Sequence, residues 1–206
     1  MKHQKIDIVF LQALLAIAVS GITLVGVAMA RTEVKQVSFR IAPPPQFELR
    51  INDAGDAFEF SGLVDFGLTE ALRKLVTEHP NVKRVILDSR GGYIAEARGA
   101  VTVLRAEEIA THVSGQCESA CALIFVGGNE RTLGPEGRLG LHGYALQRER
   151  QFGMIDPVAE MQRDLVIYRA SGLDEAFVAK LADLPQNPMW YPTRAELRAA
   201  GFLTHP

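Results

Sequence analysis

From residue 58 onward the chain keeps switching between two spacings of apolar residues, and that alternation narrows its possible folds more than any other feature. Phe58-Glu59-Phe60 alternates as a strand does, and Leu68, Leu72, Leu75 and Val76 then repeat at helical spacing until Pro80 stops the helix. Val85-Ile86-Leu87 is a short unbroken apolar run, suited to a parallel strand buried on both faces. Ile94, Ala97, Val101 and Leu104 form the next helical stripe, and residues 109–113 read as another strand. A helix is expected from about Ser119 through Phe125, closed by Gly127-Gly128, with short strands at 131–133 and 138–141. This β-α-β-α-β-α order predicts right-handed crossovers and a mainly parallel sheet flanked by helices.

Two further helices carry their own boundary signals. Asp156 and Pro157 combine an N-cap acid with proline at the first helical position. Val158, Met161, Leu165 and Tyr168 follow at helical spacing, and Gly172 closes that helix. Thr193 through Glu196 form a capping box for the last helix, and Gly201 caps its other end. At 206 residues the chain suits one domain with a sizeable core, without internal repeats. Its 22 basic and 24 acidic residues give a net charge of −2, with no basic stripe of the kind nucleic-acid binders carry.

The first thirty residues differ in kind. Lys2 and Lys5 precede an uncharged run of 23 residues, 8–30, which ends in Ala28-Met29-Ala30 before Arg31. A basic start, an apolar run and an A-x-A site are the parts of a signal peptide, while the length matches a membrane-spanning helix. Both readings export everything after Arg31, to the periplasm or the periplasmic face of the inner membrane, and both stay open. Residues 31–46, with prolines at 43–45, read as a linker, and 47–206 as the folded domain. Export changes the reading of Cys117 and Cys121, four apart. An oxidising compartment permits a bridge between them, yet each also suits a small buried position, and spacing alone does not choose.

Ligands of such sheets bind at the carboxyl ends of the strands, where two loops are expected, 89–92 and 114–119. Gly91-Gly92 follows a buried strand and lets the backbone come close to a ligand. Ser119 stands at the start of an apolar helix, where its hydroxyl would lie beside the free N–H of Ala120. If the loops meet, the N–H groups of Gly92 and Ala120 form an oxyanion hole. Serine is equally a favoured N-cap, so a capping role competes with a chemical one. His142 emerges at a strand end and becomes a general base only within hydrogen-bond reach of Ser119. His79, His112 and His205 are placed at a helix end, mid-strand and at the terminus.

The runs Leu87-Asp88-Ser89-Arg90-Gly91-Gly92, Gly115-Gln116-Cys117-Glu118-Ser119-Ala120 and Arg138-Leu139-Gly140-Leu141-His142 resemble the Clp protease proteolytic subunit. More broadly the chain is similar to the ClpP/crotonase fold, in particular to exported ClpP-like proteins of bacteria, over roughly residues 55–203. The resemblance implies Ser119 as nucleophile, His142 as base, and Gly92 and Ala120 as oxyanion-hole donors. It also implies a peptide or protein substrate, no cofactor or metal, and assembly of several copies. One position departs. The family places an aspartate before the final helix to orient the histidine, and counting back from Gly201 puts that place near Met189. Asn187 lies two residues away and can accept from an imidazole N–H, and Asp183 is farther. A turn role for Asn187, between Pro185 and Pro188, competes with that reading. The missing acid therefore favours a slower enzyme or an inactive scaffold at the membrane as the alternative. A serine–lysine pair is disfavoured because no lysine occurs between Lys83 and Lys180. Coenzyme A chemistry, as in the crotonase branch, is disfavoured by export and by the lack of a basic pocket.

Overall fold

In the computed structural model, which describes residues 44–144 and 156–205, the first element is a β-hairpin of β1 (Phe47–Ile51) and β2 (Phe58–Gly62), paired antiparallel. Asn52 makes the turn between them. Its side-chain oxygen accepts from the N–H groups of Asp56 and Ala57 at 3.0 and 3.2 Å. Parallel pairing then carries the sheet from β2 to β3 (Arg84–Ser89) and on to β4 (Ala110–Glu118). The far side of β4 is shared by two short strands. β5 (Arg131–Leu133) pairs with its first half and β6 (Arg138–Gly140) with its second, both parallel.

The helices are α1 (Leu68–Glu78), α2 (Ile94–Ala106), α3 (Ala120–Val126), α4 (Pro157–Ala170), α5 (Glu175–Ala182) and α6 (Arg194–Ala199). Leu68, Leu72 and Val76 bury one face of α1, and Ala97, Ala100, Val101 and Leu104 one face of α2. These two helices are tied at their amino ends by Glu96, whose carboxylate accepts from the N–H groups of Gly67 and Thr69 and from the Thr69 hydroxyl. Burial alone would raise the Glu96 pKa, but those hydrogen bonds outweigh it and hold the group below its ordinary value. Every residue of α3 is buried, which places the start of this helix, and Ser119 before it, against the centre of the sheet.

The mainly parallel α/β architecture matches the expectation from the sequence, with three differences. Residues 114–118 are part of β4 rather than a loop: Leu87 pairs with Val113, but Ser89 pairs with Cys117, so β4 carries two extra residues in that interval. The bulge bends the strand and gives its second half β6 as a new neighbour. β1 and α5 were not expected at all. On α4, Met161, Leu165 and Tyr168 are buried as the stripe predicts, but Val158 in the first turn is 68% exposed. The segment 1–30 with its apolar run, the linker up to residue 43 and the segment 145–155 lie outside the described residues. Among those that are described, no helix is long and apolar enough to cross a membrane.

Candidate active site

Ser119 joins β4 to α3 in a conformation few residues accept, with φ +56° and ψ −124°. Backbone of this kind costs on the order of 1–3 kcal/mol and persists only where its surroundings hold it. Here the Ser119 N–H donates to Gly140 O at 2.8 Å, and its carbonyl accepts from Ala122 N–H at 2.9 Å. The side chain makes no capping bond, so the N-cap reading does not hold. Its Oγ lies 2.8 Å from Nε2 of His142, which β6 delivers two residues beyond its end.

The glycine loop meets the serine turn directly. A Cβ on Gly91, at φ +89°, would fall 2.7 Å from Ser119 Cβ and 2.9 Å from Ala120 N. Gly92, at φ +150°, has the same constraint on its other side, where a Cβ would lie 2.2 Å from Val64 O. Val64 donates to Gly91 O and accepts from Tyr93 N–H, which turns the intervening Gly92 N–H away from Val64. Among the described residues, neither the Gly92 nor the Ala120 N–H finds an acceptor. The Ala120 N–H adjoins Ser119, and unpaired backbone donors of this kind are what a developing oxyanion needs.

The far nitrogen of His142 does not face Asn187. Asn187 is exposed and makes no side-chain hydrogen bond among the described residues, so its expected partnership with the imidazole is corrected. Nδ1 lies instead 2.7 Å from the carbonyl oxygen of Gly143. A carbonyl only accepts, so Nδ1 carries the proton and Nε2 is the acceptor for the Ser119 hydroxyl. That is the tautomer a general base requires. Met189, near the place expected for an acid, packs instead close to Gly140.

A small, partly open cleft adjoins the pair. Beyond Ser119 and His142 its walls are Leu141, Tyr144, Met161, Tyr168 and Leu181. Burial above all, with the neighbouring Tyr168 phenol and Asp164 carboxylate after it, drives the Tyr144 phenol pKa far up, so it stays a neutral donor. Its hydroxyl donates to fully buried Asp164. On the other flank, buried Glu118 accepts from Tyr191 Oη at 2.7 Å, and exposed Arg90 lies 3.8 Å away. Cys117 and Cys121, both buried, are joined as a disulfide that brackets Ser119. No trio of His, Cys, Asp or Glu among the described residues is placed to hold a metal ion.

No family model matches the chain, and no curated protein matches it. The fold is ClpP-like. The solved structure of a ClpP1 point mutant from Listeria monocytogenes aligns with a TM-score of 0.59, over 72% of this chain and 88% of that one, at 15% identity. Ser119, His142 and the glycine loop, singled out in the sequence, come together here. The Gly143 carbonyl and the Tyr144–Asp164 pair were not expected, although Tyr144 stands only two residues past the histidine.

Proposed function

We propose that this chain is an exported serine hydrolase, a peptidase or related acyl hydrolase acting on peptides or proteins in the cell envelope without ATP, metal or other cofactor. One observation carries the reading: a serine held at positive φ at a strand-to-helix junction, with its Oγ 2.8 Å from His142 Nε2. Ser119 Oγ attacks the acyl carbon while its proton passes to Nε2 of His142. The carbonyl oxygen takes up the displaced electron pair and is stabilised by the N–H groups of Gly92 and Ala120. The imidazolium then protonates the leaving amine, and an acyl ester remains on Ser119. Water, deprotonated by the same histidine, hydrolyses it and restores the hydroxyl.

The apolar cleft beside Ser119 favours substrates with an apolar group next to the scissile bond. Export is supported by the basic and apolar amino-terminal pattern and by the buried disulfide, a bond of oxidising compartments. Assembly into a homo-oligomer belongs to the same proposal, resting on the family resemblance, as does membrane attachment through residues 8–30 if they are not removed. The test is hydrolysis of fluorogenic peptides that differ in the residue before the cleaved bond. Peptides with leucine or methionine there should be cleaved, those with aspartate should not, and Ser119→Ala should cleave none. Cleavage that survives Ser119→Ala overturns the proposal.

A second reading is favoured by the Nδ1 contact. A carbonyl dipole replaces the full negative charge of a carboxylate, so the imidazolium is less stabilised. The fold would then serve as a binding scaffold. Full rescue of a deletion strain by Ser119→Ala separates this reading from the first.

A further inference from the structure

His142 is oriented by one backbone carbonyl, and the residues around that carbonyl are anchored from two directions. The Gly143 N–H donates to Pro185 O at 2.8 Å. A Cβ at Gly143 would fall 1.9 Å from Leu184 O, so this backbone sits directly on the turn at 184–185. The next residue is anchored from the opposite direction. Tyr144 donates its hydroxyl to Asp164, and Asp164 also accepts from Arg98 Nε at 2.5 Å. Arg98 in turn grips the carboxylate of Glu160 and, at 3.0 Å, its backbone carbonyl. The Gly143 carbonyl lies in the planar peptide that links these two anchored residues, so fixing both fixes where its oxygen points.

A buried, charged network of this kind is weakly explained by stability alone, because well-packed apolar residues commonly do as well. Its position suggests a different use. We propose that Tyr144 and Asp164 are positioning residues, which hold the Gly143 carbonyl where it keeps His142 in the Nδ1–H tautomer with Nε2 on Ser119. The chain thereby obtains the orienting part of a triad acid's work from its backbone, without the charge. The catalytic sense of this rests on the serine hydrolase reading, but the tautomer lock is measurable without turnover.

The test is 15N NMR of the folded, oxidised protein labelled at histidine, with the His142 signals assigned by comparison with His142→Gln. Tyr144→Phe keeps the ring in the cleft wall and removes only the hydroxyl. In the wild type His142 should be a single Nδ1–H tautomer, and in folded Tyr144→Phe a mixture of both. Asp164→Asn should behave likewise where it folds, and Tyr144→Phe carries the test where it does not. Reaction with a fluorophosphonate probe gives the second readout. Tyr144→Phe should lower the limiting rate about tenfold, with the half-saturating probe concentration unchanged. A single, unaltered tautomer in folded Tyr144→Phe overturns the inference. A lock lost in Tyr144→Phe, in a wild type that no probe labels, upholds the positioning and sinks the hydrolase reading instead.

Discussion

Ser119 and Gly91 form a contact in which no side chain can be added. Gly91→Ala would place a Cβ 2.6 Å from Glu118 O and 2.7 Å from Ser119 Cβ, at a φ that disfavours any L side chain. We expect a loss on the order of 2 kcal/mol or more in urea denaturation, together with loss of reaction at Ser119, because the serine turn must move. The glycines and His142 were legible in the sequence because their residue types and strand-end positions are themselves the signal. The partner of His142 was not. A backbone carbonyl has no side-chain signature, and Asn187 drew attention only by being the polar residue nearest an expected acid. The helix-cap reading of Ser119 failed for a related reason: residue type permits it, and only the backbone angles and the 2.8 Å contact exclude it.

At the scale of elements, α1 and α2 are joined by Glu96 and the carboxyl-terminal part of the domain by Arg131. The folded-state pKa of Glu96 is lowered, so its contribution to stability is complete above the ordinary carboxylate pKa, near 4.5, and is lost as pH falls through the lower folded value. Glu96→Gln should therefore be less stable than the wild type at neutral pH, and the gap should close on acidification. Thermal unfolding measured from neutral to acidic pH checks this, and a gap that widens in acid would contradict it. Arg131 is buried, and its guanidinium donates to the carbonyls of Gly128, Ser171, Gly201 and Phe202. Burial first, and the charge of Arg105 second, push its pKa down, yet arginine stays charged at any working pH. Arg131→Ala should cost about 2–4 kcal/mol in denaturant unfolding, since it strands several buried acceptors at once. The helices with clear caps were legible: Asp156 accepts from Val158 N–H and Thr193 from Glu196 N–H, as their sequence signals require. β4 was legible only in its apolar half. Its second half, Ser114 to Glu118, is polar and carries the bulge, and it becomes a strand because β3 and β6 pair with it.

For the whole molecule, the β-α rhythm sufficed to reach a mainly parallel sheet with helices around it, and the likeness to a solved ClpP1 shows the same fold at an identity too low to carry function. The rhythm overlooked β1 and α5. β1 alternates Phe47, Leu49 and Ile51 at the very start of the expected domain, just after three prolines, and no strand was assigned there. α5 contributes Leu181 to the cleft and leads into the turn at 184–185 that seats Gly143. The carboxyl-terminal third thus completes a site whose serine and glycines lie far earlier in the chain, and no local pattern announces a contact across such a separation. Ser119 is proposed as a nucleophile activated by His142. The most direct measurement of this is mass spectrometry of the folded, oxidised protein after reaction with a fluorophosphonate probe. One adduct should be found on Ser119, absent in Ser119→Ala and formed far more slowly in His142→Ala. No adduct on the folded wild type, or an adduct that persists in Ser119→Ala, would contradict it.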